Sequence, residues 1–238
     1  MFSAPSRLRL GLLLLLSAIV MVALPLCFSG LYGVHRWLVI GGVRLHPTSF
    51  GIPLFLGVFR IAEREAGSRL IWLLAFTLGA LLIAQPDAAE ATGFTLAALA
   101  FIVKRGRTVT EWLGAMFGSF FLIGAWLRAD PLGAVPHVEG IVGLAAALNP
   151  ILAFPAIASL ALVVLPFVIV SKYCRDPDSC ATALALGVYF VGILLATVSG
   201  RFPVPLIGYG ASGIIGYFIA LAWLLPKGSR RLRVTNST

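Results

Sequence analysis

The run "GIVGLAAALNPILAFPAIASLALVVLPFVIVS", residues 140–171, is 32 residues long and contains no Asp, Glu, Lys or Arg. As one helix it would reach about 48 Å at 1.5 Å per residue. That is too long for a single crossing of a hydrocarbon layer about 30 Å thick. Asn149–Pro150 supplies a break, because proline disfavours helix at the residue before it. The run therefore reads as a short surface or re-entrant helix over 138–148, followed by a membrane span over 149–172.

Working outward, Leu10–Val34, Leu70–Pro86, Trp112–Leu127, Ala181–Gly200 and Phe202–Pro226 are also free of charge. The chain of 238 residues is 60% hydrophobic and only 11% charged, where a soluble domain would carry about 25% charged residues. The pattern predicts an all-α polytopic membrane bundle of about eight transmembrane helices in one domain, 1–238. The spans fall near 8–28, 47–62, 69–85, 88–103, 110–127, 149–172, 180–199 and 204–225. The two short ones, 47–62 and 88–103, suit a tilted or neighbour-packed setting. No soluble domain, low-complexity tail or internal repeat is evident. The basic, apolar start "SRLRLGLLLLLSAIVMVALPLC" (6–27) is shaped like a signal peptide, but its apolar run continues to Val34 without a small-x-small cleavage site, so it reads as a retained span.

A net charge of +9 raises the question of nucleic acid. The positions of the cations answer it. With the N-terminus inside, only Arg36, Arg44, Arg128 and Arg201 of the 18 Lys+Arg fall in outer loops, and the other 14 lie inside. This is a positive-inside distribution with both termini inside, as for a multi-pass protein of a bacterial cytoplasmic (inner) membrane. The C-terminal "KGSRRLR" (227–233) suits anionic membrane lipids, and no nucleic-acid partner is implied. Cys174 and Cys180 fall in a loop read as cytoplasmic, where disulfides are rare, and Cys27 has no partner nearby in sequence. His35, His46 and His137 all fall on the outer side with Arg36, Arg44, Asp87, Glu90, Asp130, Glu139 and Arg201. The histidines read more simply as loop residues than as metal ligands. No cofactor is expected, with a divalent cation left open.

Four stretches carry a resemblance: "GVHRWLVIGGVRLHPTSF" (33–50), "LLIAQPDAAEATG" (81–93), "ADPLGA" (129–134) and "RFPVPLIGYGASG" (201–213). In this order and at these helix positions they resemble the shape, elongation, division and sporulation (SEDS, FtsW/RodA/SpoVE) family. The matching family patterns are G-x-x-R-W-L-x-x-G-x-x-x-x-Q-P-S-E, Q-P-D-x-G-T, the start of the large outer loop, and P-L-P-F-V-S-Y-G-G-S. Structural reasons stand beside the resemblance. Gly208, Gly210 and Gly213 around Tyr209 allow close helix approach, Pro203 and Pro205 hold the entry to the last span extended, and Asp87 lies near a helix N-terminus. Family members usually have ten spans, and the eight here match the third onward.

The resemblance implies bacterial cell-wall assembly in division or elongation. Family members polymerise a lipid-linked disaccharide-peptide precursor of peptidoglycan as glycosyltransferases and work with a single-pass penicillin-binding transpeptidase. Their proposed catalytic aspartate belongs to an H-T-D motif that aligns with His137, Val138 and Glu139 of "AVPHVEG" (134–140). Glu139 is then the candidate base, with His137 beside it, and Arg36, Arg44, Arg201 and Asp87 are candidate substrate-binding residues, the arginines for a pyrophosphate. A base must reach the hydroxyl it deprotonates, and a shift of about 1 Å can cost on the order of 100-fold, so the extra methylene of Glu139 matters. The family's Q-P-S-E and following lysine become His46–Pro47–Thr48–Ser49 and Ile52, an acid and a base lost together, and paired glutamates become Ala147 and Leu148. The chain is therefore expected to be either a glycosyltransferase or a catalytically degenerate relative that binds a partner or the precursor. A transporter of the lipid-linked precursor is a third reading. A rhomboid-type protease using Ser212 of "GASG" (210–213) is disfavoured, because that chemistry needs a histidine on a later helix and none follows.

Overall fold

A backbone inside hydrocarbon must satisfy its own N–H and C=O groups, and a helix does so locally. The computed structural model describes residues 4–105, 109–207 and 210–225, and helices dominate them. They are α1 (Ala4–Ala23), α2 (Thr48–Ala66), α3 (Ser68–Ala84), α4 (Ala88–Arg105), α5 (Val109–Leu127), α6 (Ile141–Leu148), α7 (Ala153–Tyr173), α8 (Pro177–Thr197) and α9 (Ala211–Leu224). Among the described residues, three segments, Leu8–Cys27, Pro150–Tyr173 and Pro177–Thr197, are long and apolar enough to cross a membrane on length and composition alone. Leu13, Val20, Phe154, Leu162 and Leu195 point outward, as on a bundle solvated by lipid. The fold is an all-α polytopic helical membrane bundle.

Several boundaries follow from identifiable residues. Gly67, with φ of 87°, makes the whole connection between α2 and α3, a conformation that costs glycine little. Asn149 is extended, and its side chain accepts from the Ile151 N–H at 2.9 Å, separating α6 from a 3-10 turn at Pro150–Leu152 and from α7. Asp176 caps α8 through the Ser179 N–H at 2.9 Å. The last helix begins at Ala211 rather than near 204, because Pro203 and Pro205 interrupt the preceding segment and Leu206 takes a positive φ of 67°. A two-stranded hairpin, β1 (Leu38–Ile40) with β2 (Val43–Leu45), was not anticipated. Gly41 and Gly42, at φ of 56° and 84°, make its turn, as a two-residue hairpin turn requires. Gly208, Tyr209, Arg107, Lys227, Arg230, Arg231 and Arg233 lie outside the described residues.

α4 and α8 pack against each other more extensively than any other pair. Their crossing depends on small residues: a Cβ on Gly192 would stand 2.7 Å from the Gly93 Cα, and one on Gly93 would stand 2.8 Å from the Tyr189 ring. An aromatic core fills the middle of the bundle. Phe59 stacks on Phe101 at 4.7 Å and meets Trp72 edge-on at 5.4 Å, and Phe55 meets Phe94 at 5.9 Å. At one end of the bundle, read from charge as inner, Arg60 donates to Glu63 at 2.5 Å and to Asp178 at 3.0 Å, and Arg64 reaches Asp178 at 2.6 Å. This cluster ties α2 to α8.

One sequence expectation is corrected here. Cys174 and Cys180 were placed in a loop where disulfides are rare, but they are joined as a disulfide. The turn between α7 and α8 brings their Cα atoms to 5.7 Å, within the range of about 4.4–6.8 Å that the bond requires. Cys27 is free and exposed.

The tight α4–α8 crossing carries a prediction. Gly192→Val should force the two helices apart and cost about 1–3 kcal/mol, read as a lower melting midpoint of the purified protein in detergent. An equal midpoint would mean that the helices do not approach this closely.

Candidate functional site

The end of the bundle that the charge pattern reads as outer collects polar groups that lie far apart in sequence. His46 stands between β2 and α2. Its Nε2 is 2.7 Å from Asp87 Oδ2, and its Nδ1 is 2.6 Å from the Ser49 hydroxyl. The Ser49 hydroxyl donates to Glu90 Oε1 at 2.8 Å, and the Tyr189 hydroxyl donates to Glu90 Oε2 at 2.6 Å. The His46 backbone N–H donates to the Ser212 hydroxyl at 2.8 Å. One cluster thus joins the hairpin, α2, the α3–α4 corner, α4, α8 and α9. The Asp87 Oδ1 also accepts from the Glu90 N–H at 3.3 Å, capping α4, the usual use of aspartate there. Below it, Thr48 donates to Gln85 at 3.0 Å, and Gln85 donates to the Val22 carbonyl, fixing α1 and α2 to the same corner.

The proton inventory follows from this geometry. The Ser49 hydrogen is directed to Glu90, so its oxygen is left to accept from Nδ1–H, while Asp87 accepts from Nε2–H. Both ring nitrogens donating is the imidazolium pattern. Burial alone would push His46 down, but the charge and hydrogen bond of Asp87, helped by Glu90, outweigh it and hold the imidazole above its ordinary value. Burial would likewise raise Asp87, but the His46 charge and hydrogen bond, with Arg36, hold it below the usual carboxylate range.

Arg36 is buried next to this cluster. Its Nη2 donates to Asp130 Oδ2 at 2.7 Å and to the Pro86 carbonyl, and its guanidinium lies 5.3 Å from the centre of the Phe202 ring. Phe202 in turn meets Trp126 edge-on at 5.6 Å. Trp126 borders a groove of about 420 Å³ lined by Thr92, Leu122, Ile123, Leu127, Leu195 and Ala196. An apolar groove between α4, α5 and α8 therefore adjoins the polar cluster.

The residues singled out from sequence are divided by the fold. Asp87 lies in the cluster, and Arg36 is at its edge with its charge met by Asp130. Arg44 on β2 and Arg201 are exposed. Glu139 lies in a turn of its own loop, where its carboxylate accepts from the Val135 N–H at 2.6 Å, and His137 is exposed. That loop touches the segment before α9 through the Val204 N–H to the Val138 carbonyl at 3.2 Å. No group of at least three His, Cys, Asp or Glu among the described residues has the geometry to hold a metal ion.

Sequence reasoning missed His46, Ser49, Glu90 and Tyr189 as members of one cluster, and Asp130 as the partner of Arg36. A signal was present for Glu90, three residues after Asp87 and so on the same face of the first turn of α4. Ser49 and Ile52 lack the acid and base of the family pattern, and other residues bring ionisable groups to Ser49: Glu90 a carboxylate from α4, and His46 an imidazole from the residue before Pro47.

Asp87, His46 and Ser49 share the order of an Asp–His–Ser relay, but hydrolase chemistry lacks its other half. The N–H groups of Ser49, Phe50 and Gly51 are bonded to the carbonyls of His46 and Pro47, so they offer no oxyanion donors. Ser212 meets only the backbone of His46, not its ring, which leaves the protease reading without a base.

The Arg36–Asp130 pair is testable. Breaking a buried pair from one side leaves an uncompensated charge worth about 3–5 kcal/mol. Arg36→Ala should therefore lower the melting midpoint more than the double variant Arg36→Ala/Asp130→Ala. A double variant as unstable as the single would refute the pairing.

No family model matches the sequence, and no curated protein does. Among solved structures, the rod shape determining protein RodA of Thermus thermophilus matches with a TM-score of 0.60, at 17% identity, over 94% of this chain and 79% of that one. An aspartate-to-alanine mutant of the same protein matches with a TM-score of 0.61, at 17% identity, over 94% of this chain and 80% of that one. At this identity the likeness concerns the fold. The helices of this chain are arranged as in RodA, whose fold it shares.

Proposed function

We propose that this protein works in peptidoglycan assembly at the outer face of a bacterial inner membrane, where it binds the lipid-linked disaccharide-peptide precursor. The observation that carries the reading is the adjacency of an apolar groove, open toward lipid, to a charged outer cluster through Trp126, Phe202 and Arg36. A lipid-linked sugar phosphate has the same two halves: a hydrocarbon tail suits the groove, and a pyrophosphate suits arginine. Because Arg36 is already neutralised by Asp130, the exposed Arg44 and Arg201 are the better phosphate contacts. Membrane lipids compete for the groove. A single-pass penicillin-binding transpeptidase is the partner that the family resemblance suggests.

Polymerisation by a glycosyltransferase route would fall to Glu139. The Val135 N–H holds one carboxylate oxygen, which orients the group, and the second oxygen is the one available to take a proton from an acceptor sugar hydroxyl. A transport role finds less support. The stacked Phe59–Phe101 pair and the Phe55–Phe94 pair occupy the bundle between the outer cluster and the Arg60–Asp178 cluster.

The test uses purified protein in lipid with the precursor. Wild type should bind it, and Arg44→Ala/Arg201→Ala should weaken binding by about tenfold or more, about 1.4 kcal/mol. Unchanged binding in the variant, or none in the wild type, would reject the reading. Glycan product from wild type that disappears in Glu139→Gln would assign Glu139 as the base. Binding without product would assign a non-catalytic scaffold role in the same process.

A further inference from the structure

Ser49 lies between two ionisable groups carried by different segments. His46, at the end of the hairpin, approaches its hydroxyl oxygen at 2.6 Å, and Glu90 on α4 takes its hydrogen at 2.8 Å. The direct His46 Nδ1 to Glu90 Oε1 separation is 3.8 Å, so the serine is the bridge. The second ring nitrogen is bonded to Asp87. This chain of donors is complete only while the imidazole carries two hydrogens.

We propose that His46, Ser49 and Glu90 form a proton-dependent clasp that positions the outer ends of α2 and α4. When the imidazole is charged, it bonds Asp87 and supports the Ser49–Glu90 bond together. When it loses one hydrogen and keeps the bond to Asp87, Nδ1 becomes an acceptor and competes with Glu90 for the single Ser49 hydrogen. When Ser49 turns its hydrogen to Nδ1, the bond to Glu90 is lost, and one of the two links between the α2 segment and α4 goes with it. Glu90 and Ser49 are positioning residues here. The proposal does not rest on the precursor reading, because its readout is the docking of helices.

The surrounding charges favour the closed form. Asp87 faces His46 from the α3–α4 corner and Glu90 from α4. Arg36 opposes protonation, but Asp130 neutralises it at 2.7 Å. Tyr189 of α8 contributes a neutral donor to Glu90, and Ser212 of α9 meets only the His46 backbone. Two carboxylates therefore face one imidazole. Its side chain is 20% exposed, which gives protons access from outside.

The sign of the pH dependence follows. His46 is held above its ordinary value, so its contribution is complete below about 6.5 and is lost as pH rises through the higher folded value. Asp87 is held below its ordinary value, so its contribution persists until the pH falls below the usual carboxylate range. The clasp is therefore closed on the acid side of the folded His46 value and opens as the pH rises through it.

The experiment is the melting midpoint of the full chain in detergent from pH 6 to pH 9, with the His46 ring titrated by nuclear magnetic resonance in the wild type. The wild-type midpoint should fall by about 3 °C or more across this range, a scale that corresponds to about 1 kcal/mol for a chain of this size. His46→Gln should start lower at pH 6 and lose most of that slope. Ser49→Ala should reduce the slope while keeping the Asp87 contact. A flat wild-type profile, or a His46→Gln profile parallel to wild type, would overturn the clasp. If His46→Gln does not fold, the ring titration decides: a value at or below about 6.5 would overturn it. None of these outcomes bears on precursor binding, so the two ideas fail separately.

Discussion

Hydrocarbon offers no hydrogen bonds, so a buried polar atom has to find its partner within the protein, and among the described residues Arg36 Nε and Trp72 Nε1 are the buried side-chain atoms that do not. A charge at mid-membrane costs about 2.5–3.5 kcal/mol or more, several times the net value of an ordinary hydrogen bond, about 0.5–1.5 kcal/mol. That imbalance decides the architecture. Ionisable side chains are pushed to the two ends, and there they are paired: His46 with Asp87, Arg36 with Asp130, and Arg60 with Glu63 and Asp178. Between the ends the chain can use only shape, which is why Gly93, Gly192 and the phenylalanines take over the middle.

Much of this division was legible in the sequence. Uncharged runs reveal spans because composition alone decides whether a helix can sit in lipid, and Asn149–Pro150 marks a break because proline acts on its immediate neighbour. The start of α9 was misread because hydropathy does not register Pro203, Pro205 or the positive φ of Leu206. The hairpin was missed because six strand residues around Gly41–Gly42 are too few to show a period. The Cys174–Cys180 bond was missed because redox habit was weighed without the geometry of a three-residue turn.

The site was harder to read, for a different reason. Asp87 could be found because it does local work, capping the helix that begins beside it. Glu90, Ser49, His46 and Tyr189 matter through one another, across separations of up to 99 residues. A family pattern compares positions one at a time, so Ser49 and Ile52 looked like losses. In three dimensions the carboxylate comes from α4 and the cation from the preceding loop. Such compensation is visible only once the helices are placed.

α7 bears on the outer loops through the bilayer itself. With its preceding turn it forms a largely apolar segment of 24 residues, Pro150–Tyr173, most of it unburied within the protein, about 36 Å of helix against a layer about 30 Å thick. The mismatch favours tilt, more in a thin membrane than in a thick one. α6 is joined in sequence to the top of this helix through Asn149 and also packs on it, and the Glu139 loop is joined to α6 through Gly140. Tilt of α7 would therefore load residues 134–140 from the α6 side, against the Val204–Val138 bond that holds them from the other, and lipid chain length would become a mechanical input to this face of the protein.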